Sequence, residues 1–240
     1  MLTSPIIVAY DGSPNADDAV VLGNLLANLT DAPLALAHVF RAPSQSPRDG
    51  TSAIQGRAEV TNRVVDDLLS HGARLADRDV ARLALGSTTT ASGIRTIVER
   101  ERAALVLFGS AQRTLPERVH PGSASRRLLH GLPCALGFAP VSFRHRGKGA
   151  LEAVAVAHDD PAYAAQRSAE ALARAAGAAV AEGEHGGDLL FVGSAPGGQR
   201  GQVLVNATVD RLIQTALAPV VVVPYGEALQ LAPAAATVAA

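Results

Sequence analysis

Ile6-Ile7-Val8-Ala9-Tyr10-Asp11-Gly12-Ser13-Pro14 is the stretch on which the fold turns. Five apolar residues without polar alternation describe a strand buried on both faces, as in a parallel sheet covered by helices. Asp-Gly-Ser-Pro then stops it: Ser13 suits a helix N-cap and Pro14 the first helical position. From Ala16 to Leu29 apolar residues recur at helical spacing, with Asp17 and Asp18 in the first turn, where the helix dipole favours them. A strand passing through a capping turn into a helix is the opening unit of an alternating α/β chain.

The alternation continues outward from that unit. Leu34–Phe40 reads as a second strand, 41–52 as a Pro, Ser and Gly-rich loop, and Ala53–His71 as an amphipathic helix stopped by Gly72. Val80–Leu85 is a third strand, Thr90–Arg102 a helix, and Ala104–Phe108 a fourth strand ending at Gly109-Ser110-Ala111. Ser123–His130 is a short helix and Cys134–Ala139 a fifth strand. Right-handed crossovers make this an α/β fold, a doubly wound parallel five-stranded sheet of strand order 3-2-1-4-5.

After the polar run Arg144-His145-Arg146-Gly147-Lys148-Gly149, read as a solvated linker, the pattern restarts. Leu151–Ala157 is a strand, Pro161 opens a helix, Asp188–Val192 is a strand, Val209–Leu217 a helix and Val220–Val223 the last strand. Gly109-Ser110-Ala111 returns as Gly193-Ser194-Ala195, an offset of 84 that also carries Pro140 onto Pro224. Near the start of each half the offset is 147, from Pro14 to Pro161, so the second copy is 63 residues shorter. The loss falls before its Gly-Ser-Ala turn, and the second and third strands are expected to be missing, with 177–187 open to either a vestigial strand or a helix end. The expected domains are 1–143, a truncated copy at 150–226, and a frayed tail at 227–240.

Composition excludes several functions. A net charge of −1 offers no electrostatic reason for a nucleic-acid or anionic-membrane partner. Aromatics are 3% with no tryptophan, so stacking platforms for single strands are not expected. The one cysteine, Cys134, excludes an internal disulfide and reads as a small core residue. Seven histidines show no paired ligand spacing, so no metal is expected. No apolar run approaches the ~20 residues a membrane-spanning helix needs, and the opening residues lack a basic leader, so a cytoplasmic location is expected.

The stretch with most chemical content is Gly109-Ser-Ala-Gln112, nine further residues, then Gly122-Ser123-Ala124-Ser125 opening a helix. Glycine lets a ligand approach the backbone, a helix N-terminus offers free N–H groups, and Ser123 and Ser125 add hydroxyls. Asp11 ends the neighbouring strand, so both loops meet at the point where strand order reverses. His120 with Glu117 could position a water, and Arg126 or Arg127 could meet phosphate; solvent-facing loop residues are the plainer reading of each.

Tyr10-Asp11-Gly12-Ser13-Pro14, together with a distal Gly109-x2-Gln112-x9-Gly122-Ser123 run near the pattern Gly-x2-Gly-x9-Gly-Ser/Thr and a closing strand, resembles the universal stress protein family, as two tandem copies over most of the chain. The resemblance implies a site for ATP or AMP in the first copy. Asp11 and Val39 would stand on the base side, and Gly109, Gln112, Gly122, Ser123 and Ser125 around ribose and phosphates. Gln112 departs from the family pattern, which has glycine there, and the loop carries Pro116, Glu117 and Pro121. In the second copy Pro196, Asn206 and Ala207 replace the later motif positions, and His158 stands for Asp11, so no nucleotide is expected there. The implied function is a stress-associated, non-catalytic adenine-nucleotide-binding or sensing protein. The alternatives are a ligand-free scaffold and a slow ATPase, the last weakened by the lack of a phosphate-loop lysine. Family members pair through their fifth strands, so pairing of Cys134–Ala139 with Val220–Val223 within one chain is expected, and further homodimerisation is compatible with the reduced second copy.

Overall fold

The computed structural model describes residues 4–41, 51–112, 114–146, 149–157 and 162–231. Its first half runs β1 (Ile6–Ala9), α1 (Pro14–Thr30), β2 (Leu34–Arg41), α2 (Thr51–Ala73), β3 (Val80–Ser87), α3 (Thr90–Glu101), β4 (Leu105–Gly109), α4 (Ser123–Leu128) and β5 (Ala135–Ala139). The second half runs β6 (Ala153–Val156), α5 (Ala164–Ala176), β7 (Ala179–Glu182), β8 (Leu189–Gly193), α6 (Ala207–Thr215) and β9 (Val220–Val223). Among the described residues the strands join one nine-stranded sheet of order β3-β2-β1-β4-β5-β9-β8-β6-β7.

The first five strands are parallel in the expected order, with Ile6 opposite both Leu34 and Leu105. Successive residues of β1 serve opposite faces: Ile6 and Val8 enter the core under α1 and α5, and Ile7 the core under α3, α4 and α6. This two-sided burial is why the run shows no polar alternation. Ser13 caps α1 by accepting from the Ala16 N–H at 3.2 Å, with Pro14 at the first helical position.

At the centre of the sheet β5 meets β9 antiparallel, Leu136 opposite Val222 and Phe138 opposite Val220. The expected cis pairing of the fifth strands is therefore present. All nine residues of these two strands are buried, so each removes the other's open edge from solvent.

The second half differs from its expected form. Its strand order, β9-β8-β6-β7, keeps a counterpart of β2: Ala179–Glu182 pairs parallel with β6, Ala153 opposite Ala179. Among the described residues one strand is missing, not two, and of the alternatives for 177–187 the vestigial strand is present. Gly177, left-handed at φ 67°, ends α5 and turns the chain into β7. The excursion that in the first half makes α2, β3 and α3 shrinks to residues 183–188. That loop lies directly on β6: a Cβ on Gly187 would stand 2.6 Å from the Ala155 nitrogen, so only glycine fits. Glu184 ties the loop to Arg211 of α6 at 3.1 Å.

Three further expectations change. Arg144 is not part of a solvated linker. Asp18, fully buried, accepts from the Ser142 and Arg144 N–H groups at 2.9 Å each and from Arg144 Nη1 at 3.0 Å. It is a buried clamp on the chain after β5, and only Asp17 serves the first helical turn. The tail is docked as far as Leu231: Leu229 and Leu231 are buried in the core beside α5, and the Leu229 N–H donates to Ser168 Oγ at 2.8 Å. Finally, α4 stops at Leu128 because His130 bridges to Leu204 of the second half. Pro161, the expected start of α5, lies outside the described residues, as do His158, Asp159, Asp160, Gly147, Lys148 and 232–240.

Cys134 is 4% exposed, and burial pushes its thiol up to about 12 from an ordinary 9.0. It therefore stays a neutral thiol in the folded chain. In the unfolded chain it ionises first, so its contribution to stability is complete below pH 9.0 and is lost as pH rises toward 12. Ellman's reagent at pH 8 is expected to label the thiol at the rate of global unfolding. Rapid labelling of the native protein would contradict this placement.

Candidate functional site

At the C-terminal ends of β1, β2 and β4 lies a cavity of about 260 Å³. Crevices form there because the chain leaves β1 and β4 on opposite faces of the sheet, parting the loops that follow. β1 and its turn supply Ala9, Tyr10, Asp11 and Ser13, and β2 supplies Ala37, His38 and Val39. The loop after β4 supplies Gly109 to Gln112, and the start of α4 supplies Gly122 to Ser125. All seven positions singled out in the sequence, Asp11, Val39, Gly109, Gln112, Gly122, Ser123 and Ser125, border this one space.

Gly109 is required by packing. A Cβ there would stand 1.9 Å from the Asn15 carbonyl oxygen in the first turn of α1. Asn15 in turn holds the loop: its amide Nδ2 donates to the Ser110 and Ala111 carbonyls at 2.8 and 3.2 Å. Ser110, 5% exposed, donates to the Ala139 carbonyl at 2.8 Å and accepts from the His120 N–H at 3.3 Å. The loop is thereby closed onto β5.

The second half repeats this clamp with every partner 84 positions on. Ser194 donates to the Val223 carbonyl at 2.7 Å and accepts from the Leu204 N–H at 3.2 Å. Glu117, left-handed at φ 62°, corresponds to Gly201 at φ 78°. The Gly-Ser-Ala repeat is thus a loop-closing device in both halves, and Glu117 holds a turn position, exposed and absent from the residues bordering the cavity.

The open end of the site is α4. Gly122 occupies its N-cap with no side-chain hydrogen bond, and a Cβ there would meet nothing within 4 Å. Ser123 is exposed beside it, whereas Ser125 is 1% exposed and donates to the Gly122 carbonyl at 3.0 Å. Gln112 is exposed at the rim. At the equivalent place in the second half, Asn206 caps α6 by accepting from the Val209 N–H at 3.0 Å, so its own side chain fills the position that Gly122 leaves open.

Near Asp11 and Val39, His38 Nδ1 lies 2.8 Å from the Tyr10 carbonyl oxygen. Tyr10 is 2% exposed and donates to Asp17 Oδ1 at 2.9 Å. Burial first, then that hydrogen bond, hold its phenol well above the usual range, so it remains protonated. His120 does not border the cavity; its Nε2 lies 3.4 Å from Arg126 Nη2. Arg127 is exposed. Among the described residues no cluster of three or more His, Cys, Asp or Glu side chains could hold a metal ion, and no helix is long and apolar enough to cross a membrane.

Asn15, Thr90 and Ile94 also border the cavity and were not read from the sequence. Asn15, placed just after Ser13-Pro14, carried a usable signal as a polar residue on the strand side of a capped helix. Thr90 and Ile94 arrive through α3, whose start stands at the same rim only because β3 runs parallel to β2.

The family model for the universal stress protein family matches residues 3–136. No curated protein sequence matches the chain. A universal stress protein from Archaeoglobus fulgidus DSM 4304 has a similar structure, with 15% identity, a TM-score of 0.61, and coverage of 94% of this chain and 98% of that one. A Pseudomonas aeruginosa UCBPP-PA14 protein assigned to the universal stress proteins is similar at 13% identity and a TM-score of 0.59, over 93% of this chain and 94% of that one. A universal stress protein solved in complex with cAMP matches 45% of this chain and 73% of its own, at 14% identity and a TM-score of 0.32.

Proposed function

The chain belongs to the universal stress protein family, and from that premise we propose that its first-half cavity binds one adenine nucleotide, ATP or AMP, as a sensing site without chemical turnover. One observation carries this reading: the six residues that match the family's motif, with Gln112 beside them, border one cavity, and Gly122 leaves open the end of α4 that would face phosphate. Backbone N–H groups at a helix start favour an anion without a cationic side chain. At about 260 Å³ the enclosed part is close to the ~300 Å³ lower bound of small-molecule pockets, so it suits a nucleoside with its phosphates toward the rim.

A role without turnover is supported by His120. This histidine, the sequence's candidate for holding an attacking water, stands against Arg126 and away from the cavity lining. The second half is proposed to take no nucleotide, because Asn206 already satisfies the start of α6.

Native mass spectrometry of the purified chain, followed by chromatography of whatever denaturation releases, tests the reading. One adenine nucleotide per chain is expected, either carried through purification or taken up from millimolar AMP or ATP. No uptake would leave the scaffold reading in its place. Two per chain would overturn the assignment to the first half.

A further inference from the structure

The ligand loop of the first half and the turn after α4 are both packed against the second half. The Gly131 N–H donates to the Val203 carbonyl at 2.7 Å and the Val203 N–H to the Leu132 carbonyl at 2.9 Å. Val119, in the loop, and Val203, 84 positions on, are both buried in the same core. Arg118 Nη1 donates to the Thr215 carbonyl at the end of α6, at 3.2 Å.

Arg126 gathers these elements at one side chain. Its Nε donates to the Pro121 carbonyl at 3.2 Å, just before Gly122, and its Nη2 lies 3.4 Å from His120 Nε2. Its Nη1 stands 4.0 Å from Asp210 Oδ1 on α6, whose other oxygen accepts from Gln214 Nε2 at 2.6 Å. Asp210 is the residue 84 positions after Arg126, so the two occupy equivalent places in the two halves and face each other across the seam. Two first halves packed in the same way would oppose arginine to arginine. The charge reversal at 210 replaces that repulsion with an attraction.

We propose that Arg126 is a positioning residue through which the second half sets the shape of the loop leading to Gly122, so that the second half shapes the ligand site while holding no ligand itself. The proposal rests on the nucleotide-binding reading. An exposed ion pair alone contributes little, so the effect lies in where the guanidinium is aimed: onto the Pro121 carbonyl when Asp210 holds its far side.

The test uses the full chain, with AMP as the titrant in calorimetry and amide hydrogen exchange over 118–126 as a second readout. Asp210→Arg is expected to weaken AMP binding about fivefold, the lower end of measured couplings between sites, and to speed exchange in 118–126. The double exchange Arg126→Asp with Asp210→Arg restores the attraction but not the Pro121 contact from Arg126. It is therefore expected to leave AMP affinity low although the charge pairing is back in place. Arg126→Lys, which keeps the charge and loses the fork, is expected to weaken AMP binding by a similar factor. Unchanged affinity and exchange in Asp210→Arg, or full recovery of affinity in the double variant, would overturn the proposal. Should the wild-type chain take up no nucleotide, the nucleotide reading alone fails, and exchange in Asp210→Arg still decides the coupling.

Discussion

If the proposed site holds AMP, Gly122→Val is expected to lower the affinity by about a hundredfold and to leave the melting temperature nearly unchanged. The separation of the two effects follows from the geometry. A Cβ at Gly122 meets nothing within 4 Å, and its φ of −74° is open to any residue, so the ligand-free chain accommodates the side chain. The bound state does not, because valine occupies the approach to the first turn of α4. Forcing methyl groups into a filled space costs about 3 kcal/mol at the upper end, and at 1.4 kcal/mol per decade that is about two decades of affinity. Calorimetric titration alongside thermal melting checks both halves of the expectation. An unaltered affinity would place the ligand elsewhere.

Gly109→Ala is expected to do the reverse and damage the fold. Its Cβ would stand 1.9 Å from the Asn15 carbonyl oxygen and 2.3 Å from the Asn15 carbonyl carbon, both backbone atoms of a capped helix. Neither can rotate away as a flexible side chain can, so α1 and the loop after β4 must separate. That opposes the two hydrogen bonds by which Asn15 holds the loop. A loss of about 3 kcal/mol is expected, which for a chain of this size lowers the melting temperature by roughly 6–12 °C. Urea denaturation of the variant measures it, and wild-type stability would show that the two segments are not in contact. The two glycines of one motif thus separate cleanly: one makes room for the chain itself, and the other leaves the space that the proposed ligand would use.

How much of this was legible in the sequence depended on whether the cause was local. β1 and the start of α1 are written in consecutive residues, an apolar run followed by a cap and a proline, and the structure matches them. The offset of 84 identified Val220–Val223 as the second copy's fifth strand, and the expectation that it pairs with β5 came from the resemblance to the family. β7 was not legible, since Ala179-Val-Ala-Glu182 is four residues long and takes its conformation from pairing with β6. The Asp18 clamp was invisible for a related reason. Its partners are 124 and 126 residues away, and nothing in the helical pattern distinguishes an aspartate aimed at solvent from one aimed inward. At the site the same division holds: motif spacing found Gly109 and Gly122, whereas Thr90 and Ile94 reach the rim through the sheet's register.

The antiparallel meeting of β5 with β9 also changes how the assembly behaves on dilution. Two separate chains joined through such strands come apart as their concentration falls, and any property that needs both is then tuned by abundance. Here the partners share one polypeptide, so each sees the other at a fixed local concentration of the millimolar order or above, whatever the amount of protein present. The first half is thereby supplied with a partner unlike itself at every concentration of protein, and its surroundings at this seam do not depend on how much of the protein has been made.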